Sequence, residues 1–396
     1  MKRLSVLLLI VGLAMQISGQ SMLDVYRAGT LKLEKDNSFA SGMDWYDVFP
    51  DFERVSYGRP DGLYKSVAVA PDGSVFVGNH GSYSISKFDT NGKHIKTFGQ
   101  QGRSKEDFKV RPTLGGVVGG KYVFTHEHNG HIKLFTLDGE FVKNIAVDYM
   151  PLKTIALTSN HIALIGHVPM GETNTRTVIT IIDPETGEQN VIKRYDNAFS
   201  EKYLTLKLSE YVISWSPEAS RNHFFIRALP DGNLLAGSNF SNTLTVFAPE
   251  GKVVREIELD YLALPYPEEM KKEFISRIEA MEKKEEKITK ADIAPIYKDD
   301  FFQKSMPFYY NFLVDAEGNI LVFRYVDKDV DHMFSIYTYS SDGKWIGDAI
   351  IDLAGYKLGL QYQMDEVSFH GKYLYGILQP ISTATVPPQL VRFIIK

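Results

Sequence analysis

The sequence predicts an all-β fold, a six-bladed β-propeller built of four-stranded antiparallel blades. Short β-rich runs of similar length recur along the chain, and tight turns of the Asp-Gly or Asn-Gly kind separate them. The composition agrees with this prediction, because 24 Phe and 22 Tyr residues favour strands over helices. A hydrophobic content of 44% is ordinary for a globular chain.

The clearest repeat lies at residues 63–99. Its first two runs, 63–70 and 74–79, meet at Pro71-Asp72-Gly73, which is the signature of a hairpin turn. Two further runs, 83–89 and 94–99, meet at Asn91-Gly92. Four strands joined by such turns make one antiparallel sheet, and so this segment predicts one blade.

The same order of runs and turns returns along the rest of the chain. Turns of the second to fifth copies lie at residues 119–120 and 137–139, 159–160 and 186–187, 230–232 and 249–251, and 315–318 and 341–343. The last copy ends after three runs, whereas a run at 52–58 precedes the first copy without a partner. We therefore expect residues 52–58 to complete the last blade, so that N- and C-terminal strands share it and close the ring.

The first copy resembles an NHL repeat in Val-Ala-Val-Ala-Pro-Asp-Gly-Ser-Val-Phe-Val-Gly-Asn (67–79) and Ile-Ser-Lys-Phe-Asp-Thr-Asn-Gly-Lys-His-Ile-Lys-Thr-Phe-Gly (85–99). Over residues 50–396 the chain is similar to the exported six-bladed propellers of Bacteroidetes with NHL-repeat or TolB-like blades. The resemblance implies this fold and an exported protein. It carries over no catalytic residue, because its motifs consist of turn residues.

Residues 1–20 have the pattern of a secretory signal. Lys2 and Arg3 precede about a dozen apolar residues, whereas a membrane-spanning helix needs about 20. The chain contains no cysteine, and so it has no thiol for a lipid anchor, a disulfide or a thiolate metal site. We expect a periplasmic or secreted protein that is not a lipoprotein and has no integral membrane segment after signal cleavage.

Two insertions interrupt the predicted propeller, which follows a lead-in segment at 21–49. They lie at about 193–222 and 259–305. In the second insertion, apolar residues recur at steps of three and four, which predicts a helix over 267–287. The sequence leaves its role open between a helix packed on the rim, a lid over the central opening and a partner-binding arm.

In a propeller, the connections from second to third strands, and from each fourth strand to the next blade, open on one face around the central channel. Ligands usually bind there. The candidate ligand-binding residues of this face are Asn79, His80, His126, Glu127, His128, His167, Asn239, Arg324 and Tyr325. No catalytic residue can be assigned from the sequence.

A divalent metal, calcium or zinc, is the cofactor that these residues could hold. His80, His126 and His167 are the candidate ligands, with Glu127 as a base or a further ligand. The opposing interpretation treats them as polar loop residues. No spacing of the His-Glu-x-x-His kind is present, and so no cofactor is firmly implied.

Two classes of function remain open. The first is a binding module that holds a small molecule, a glycan or a protein on the loop face. The second is a metal-dependent enzyme of lyase or lactonase type with its site at the central channel. The lack of a catalytic motif favours the binding module, and a TolB-like role in envelope assembly ranks below both. A net charge of −5 argues against a nucleic-acid partner.

Overall fold

The computed structural model describes most of the chain. The described residues are 21–49, 55–56, 59–60, 65–169, 175–195, 204–207, 212–215, 222–284, 288–298, 300–324, 333–352, 367–378 and 387–396. The predicted signal at 1–20 and most of the run at 52–58 lie outside them.

Short elements come first. They are helix α1 (Met22–Arg27), strand β1 (Thr30–Lys35), helix α2 (Trp45–Val48) and a small hairpin of β2 (Val55–Ser56) and β3 (Arg59–Pro60). The four-stranded sheets follow.

Four sheets each contain four antiparallel strands in chain order. Sheet 1 contains β4 (Lys65–Val69), β5 (Val75–Asn79), β6 (Ser84–Phe88) and β7 (His94–Phe98). Sheet 2 contains β8 (Pro112–Val118), β9 (Tyr122–Glu127), β10 (His131–Thr136) and β11 (Phe141–Ala146). Sheet 3 contains β12 (Met150–Ala156), β13 (Ile162–Pro169), β14 (Thr175–Ile182) and β15 (Gln189–Tyr195). After a hairpin of β16 (Leu204–Lys207) and β17 (Val212–Trp215), sheet 4 contains β18 (Phe224–Ala228), β19 (Leu234–Ser238), β20 (Thr243–Phe247) and β21 (Val253–Glu258).

The second insertion contains the predicted helix. Helix α3 (Glu268–Lys284) is followed by α4 (Lys290–Ile293) and by a 3-10 turn, Ala294–Tyr297. Phe274 and Ile278 of α3 are buried in one cluster with Leu204 of β16. The two insertions therefore share a small core of their own. Within the described part of the chain, no helix is both long and apolar enough to cross a bilayer.

The last sheet contains eight strands. They are β22 (Tyr309–Val314), β23 (Ile320–Arg324), β24 (Met333–Tyr339), β25 (Trp345–Asp352), β26 (Val367–His370), β27 (Tyr373–Leu378), β28 (Gln389–Ile395) and β1. Across the sheet the order is β22-β23-β24-β25-β1-β28-β27-β26. Strand β1 runs antiparallel to β28 and parallel to β25, and so it joins two antiparallel halves.

Closure by N- and C-terminal strands is present, but a different strand performs it. Leu33 pairs with Ile395, and Glu34 pairs with Ile394. The prediction that 52–58 closes the sheet is wrong, because Val55–Ser56 pairs with Arg59–Pro60 instead. Residues 21–49, predicted as a lead-in, supply the closing strand. Its buried leucines alternate with exposed polar residues, which is the pattern of a strand with one solvated face.

Neighbouring sheets pack face to face. The first strand of each sheet contacts the first strand of the next sheet: β4 contacts β8, β8 contacts β12, β12 contacts β18, and β18 contacts β22. Strand β26 of the last sheet contacts β4 of sheet 1. Phe76 of sheet 1 shares a core with Val123 of sheet 2. Ile377 of the last sheet shares another with Val77 of sheet 1. Sheets that pack in chain order and return from last to first form the arrangement of a β-propeller.

The predicted turn residues act as expected in the first hairpin. Gly73 has a φ of +83°, in the left-handed region that glycine adopts without strain. The Asp72 carboxylate accepts hydrogen bonds from the Ser74 N–H at 2.9 Å and from its hydroxyl at 2.6 Å. These local contacts explain why Asp-Gly pairs mark the connections between strands.

Burial of the closing strand predicts its contribution to stability. The Leu33 side chain is 2% exposed, and so Leu33→Ala should lower the free energy of unfolding by about 2–4 kcal/mol. Lys32→Ala, on the exposed side of the same strand, is the matched control and should change it by less than about 0.5 kcal/mol. Urea unfolding measures both values. Equal effects of the two changes would contradict the observed register.

An ion pair fastens the residue after β1 to β28. The Arg392 Nε donates a hydrogen bond to the Asp36 carboxylate at 3.0 Å, and Nη2 donates a second at 2.5 Å. Hydrogen bonding from the Ser38 hydroxyl, with a further contribution from Arg392, lowers the pKa of Asp36 to about 2 from 3.8.

This lowered pKa predicts how stability depends on pH. An acid whose pKa is lower in the folded state stabilises that state above its unfolded pKa, and the contribution is lost as pH falls through the folded pKa. The difference in free energy of unfolding between wild type and Asp36→Asn should therefore be largest near neutral pH. It should disappear between about pH 4 and about pH 2 in urea unfolding. A difference that stays constant over this range would rule out the linkage.

Candidate functional site

The predicted site residues that the structure describes lie at one end of the strands of their sheets. Within each sheet the strands are antiparallel, and so the second strand ends, the third strand begins and the fourth strand ends on the same side of the molecule. We call this side, with its connecting loops, the loop face. Both insertions leave the sheets there, after β15 and after β21.

Two of the predicted residues serve the scaffold. Asn79 is 2% exposed, and its Nδ2 donates hydrogen bonds to the hydroxyls of Ser84, at 3.3 Å, and Ser86, at 2.9 Å. Asn239 is fully buried, and its side-chain oxygen accepts the His223 N–H at 2.8 Å. Such contacts fix the connection between strands and leave little polar surface for a ligand. His80 is half-buried in the turn after β5.

The structure brings two of the predicted histidines together. The rings of His126 and His128 lie 5.7 Å apart, edge to face. Nδ1 of His126, which is 1% exposed, shares a hydrogen bond of 2.9 Å with the Thr154 hydroxyl of sheet 3. Nδ1 of the exposed His128 donates to the Pro151 carbonyl at 2.8 Å. The pair therefore bridges sheets 2 and 3 at the loop face.

Glu127 lies between these histidines in sequence but has different surroundings. Its carboxylate is fully buried and accepts the N–H groups of Lys109, at 2.7 Å, and Val110, at 2.9 Å. The Lys133 Nζ lies 3.9 Å from the other carboxylate oxygen and donates to the Lys105 carbonyl at 2.7 Å. Burial lowers the pKa of Lys133, and Glu127 opposes that shift. The carboxylate thus holds the β7–β8 connection in place.

His167 lies on sheet 3, half-buried at the loop face. Its Nδ1 shares a hydrogen bond of 3.2 Å with the Thr177 hydroxyl, and burial lowers the pKa of the imidazole. A lower pKa keeps the ring neutral, which is the form that binds metals. Across the residues that the structure describes, no three His, Asp or Glu side chains group so as to hold a metal ion.

Of the two remaining predicted residues, Arg324 belongs to a different cluster, between sheet 4 and the eight-stranded last sheet. Its guanidinium carbon lies 4.4 Å from the ring centre of Tyr261 and 4.2 Å from that of Tyr337. Nη1 of Arg324 donates to the Tyr337 hydroxyl. Tyr309 adds a buried ring beside Phe225. We call Arg324, Tyr261, Tyr337 and Tyr309 the tyrosine–arginine cluster. Tyr325, the ninth predicted residue, lies outside the described residues.

Burial keeps two phenols of this cluster, those of Tyr261 and Tyr309, in the neutral form. Burial raises the pKa of Tyr261 and of Tyr309 well above the ordinary value. Neutral phenols keep their protons and can donate hydrogen bonds at every physiological pH. Tyr309 Oη is buried and finds no hydrogen-bond partner among the described residues. Burial of this hydroxyl costs free energy, because no hydrogen bond from the described residues replaces the bonds that it makes to water in the unfolded chain.

The cluster also anchors the second insertion. The Tyr261 hydroxyl donates to the Phe308 carbonyl at 3.0 Å, and the Phe308 N–H donates to the Asn239 carbonyl at 2.7 Å. The Met306 N–H donates to the Leu264 carbonyl at 2.7 Å. The two ends of the insertion therefore run side by side from the loop face, and Tyr261 belongs both to the insertion and to the cluster.

Reasoning from sequence missed Tyr261, Tyr309 and Tyr337. Tyr309 and Tyr337 lie in strand-forming runs that are rich in aromatic residues, where the sequence does not distinguish a buried core ring from a ring at a binding site. Tyr261 lies just after β21, in a segment with no repeat signal. The one available signal was Arg324, a cation at the end of an otherwise apolar strand.

Comparison with known proteins identifies similar folds. No protein-family model and no curated protein matches the sequence. A member of the DUF4221 family from Bacteroides vulgatus has 13% identity and a TM-score of 0.49, over 93% of this chain and 98% of that one. A protein of Bacteroides fragilis described as exported has 10% identity and a TM-score of 0.49, over 84% and 90%. A gluconolactonase of Xanthomonas campestris has 10% identity and a TM-score of 0.43, over 84% and 86%.

The environment of Glu127 predicts a structural role for it. Lys133→Met should lower the free energy of unfolding by about 3 kcal/mol or more, because it leaves a buried carboxylate without its opposing charge. Lys96→Met, on the exposed side of β7, is the control and should have little effect. Urea unfolding measures both. An unchanged stability in Lys133→Met would return Glu127 to the candidates for a base.

Proposed function

We propose that this chain is an exported six-bladed propeller, of the NHL-repeat or TolB-like kind, which binds a ligand on its loop face. The strand order supports six blades, since four sheets have four strands and the eight-stranded sheet divides between β25 and β1 into two sets of four. The basic and apolar start of the chain supports export.

The tyrosine–arginine cluster is the observation that carries the binding role. It combines a half-exposed guanidinium with two half-exposed aromatic rings. Arg324 and Tyr337 come from neighbouring strands of the last sheet, and Tyr261 comes from the second insertion. A rigid scaffold that presents such groups at one edge is typical of binding sites. Arg and Tyr are also the residues that contribute most binding energy at protein surfaces.

Ligand-dependent stabilisation tests this proposal. A ligand at about 100 times its dissociation constant should stabilise the folded protein by about 2.7 kcal/mol, which thermal shift measures across a panel of glycans, peptides and metals. Tyr337→Ala should abolish the shift. Trp345→Ala removes an exposed aromatic ring from the same sheet, at the end of its strands away from the loop face, and should preserve the thermal shift. Loss in both variants, or in neither, would contradict a site on the loop face.

A metal-dependent enzyme of lyase or lactonase type is the second candidate. The contact between His126 and His128 favours this candidate, because two imidazoles whose ring centres lie 5.7 Å apart could both bind one metal ion. His167, with its lowered pKa, would be a further ligand.

Metal analysis separates the two candidates. If the protein is a metal-dependent enzyme, the purified protein should contain about one equivalent of zinc or calcium, and a chelator should lower its melting temperature. The double change His126→Ala and His167→Ala should then remove the metal. Metal-free protein with the melting temperature unchanged by chelator, calcium or zinc would exclude this candidate.

A further inference from the structure

Strand β7, the last strand of sheet 1, has an open edge. It pairs with β6 on one side, and its backbone N–H and C=O groups on the other side pair with no strand in the described part of the chain. Ile95, Lys96 and Thr97 are exposed, and the Ile95 side chain is 52% exposed. An exposed and unpaired edge of this kind is able to accept a further strand from another molecule.

A groove of about 590 Å³ lies between sheets 1 and 2 at the end of β7. The half-buried rings of Phe98 and Phe141 and the buried ring of Phe135 line it. The ring centre of Phe135 lies 5.5 Å from that of Phe98 and 5.9 Å from that of Phe141. The groove is therefore able to bury an apolar side chain of a molecule that binds beside β7. A groove beside β15 differs, because acids line it: Asp183, Glu188 and Glu250.

Two side chains of β7 face sheet 2 and the groove. Phe98 is the register partner of Ile85, which belongs to a core shared with sheet 2. Lys96 is the register partner of Lys87, whose Nζ donates to the Asp138 carboxylate of sheet 2 at 3.0 Å. Register partners in antiparallel strands point to the same face of the sheet. A strand added to β7 would thus place side chains beside Lys96 and Phe98, two residues apart.

Exposed charges around this edge are mainly positive. Glu106 is the one exposed acid of residues 93–109, whereas the exposed cations of that segment are Lys93, Lys96, Arg103, Lys105 and Lys109. The carboxylate of Asp107 is buried and accepts hydrogen bonds from the Gln100 amide, at 2.9 Å, and from the Ser104 N–H, at 3.0 Å. Lys105 lies at the groove, with its Nζ 5.9 Å from the ring centre of Phe141. An acidic partner therefore complements this surface.

Two other occupants fit this surface less well. A second copy that paired its β7 with this one would bring Lys93 and Lys96 of both copies together. Residues 93–98 contain no acid that could offset these like charges, which destabilise a strand pair. A saccharide could pack on the phenylalanine rings, but it has no peptide backbone with which to extend a sheet. The open edge therefore favours a peptide.

We propose that β7 and this groove bind an extended acidic segment of a partner protein by strand addition. An acidic residue of the segment lies beside Lys96, and an apolar residue two positions away enters the groove beside Phe98. Main-chain hydrogen bonds to β7 supply affinity, whereas the lysines and the groove select the sequence. This surface belongs to sheets 1 and 2, and so the inference goes beyond the proposed binding at the tyrosine–arginine cluster and does not depend on it.

Fluorescence anisotropy with the labelled peptide Thr-Glu-Thr-Phe-Thr-Glu-Thr tests the proposal, because its symmetric pattern suits a parallel or an antiparallel strand. Versions with lysine in place of both glutamates, or with alanine in place of phenylalanine, should bind about tenfold or more weakly. A version with N-methyl groups on its three central residues lacks the backbone donors of a strand and should lose binding. Hydrogen exchange should slow at residues 94–98 when the first peptide binds.

The double change Lys96→Glu and Lys105→Glu reverses the charge beside the edge and the groove, and should weaken binding about tenfold or more. The double change Lys252→Glu and Lys272→Glu, at exposed positions of sheet 4 and α3, alters the net charge equally and is the matched control. Its affinity should stay within about twofold of wild type, because salt screens distant charges. Melting temperatures check that both variants are folded.

Four results would overturn the inference. They are equal binding of the acidic and lysine peptides, wild-type affinity in the double variant of Lys96 and Lys105, slowed exchange only in segments other than 94–98, and tight binding of the N-methylated peptide. Binding of galactotriose in the groove with no binding of any peptide would also overturn it. Each of these results leaves the proposed function at the tyrosine–arginine cluster intact, because that cluster lies on other sheets.

Discussion

Backbone pairing of one N-terminal strand is the interaction on which the rest of the structure depends. Strand β1 forms antiparallel bonds with β28 and parallel bonds with β25, and so it occupies sheet edges that would otherwise be open. Tyr26 of the preceding helix adds a buried hydrogen bond of 2.8 Å to Asp315. The end of the chain is thereby held against its beginning, and the last sheet is positioned to pack on the first.

Closure also determines what the loop face can present. Each candidate cluster combines side chains from elements that are distant in sequence, such as His126 with Thr154, or Arg324 with Tyr261. Their relative positions depend on the packing between sheets. The loops need not be rigid themselves, because strand ends and inter-sheet cores hold the key groups.

Sequence reasoning succeeded where local chemistry decides the structure. Asp72-Gly73 and its repeats require particular backbone angles, and the apolar spacing of α3 requires a helix. It failed for β1, because a strand with two leucines among polar residues has no turn beside it to mark a repeat. It failed again for Tyr261, since proximity to Arg324 arises from packing of the insertion and is not encoded in spacing along the chain.

A cross-linking measurement tests the closure most directly. Because the sequence contains no native cysteine, only the introduced cysteines can form a disulfide. Glu34 and Ile394 are register partners, and antiparallel partners lie about 5.5 Å apart at most between Cα atoms, within disulfide range. Protein with cysteine at both positions should oxidise to an intramolecular disulfide and melt at a higher temperature. Cysteines at Val55 and Ile394 should remain reduced. A disulfide in the second pair, with none in the first, would contradict closure by Thr30–Lys35.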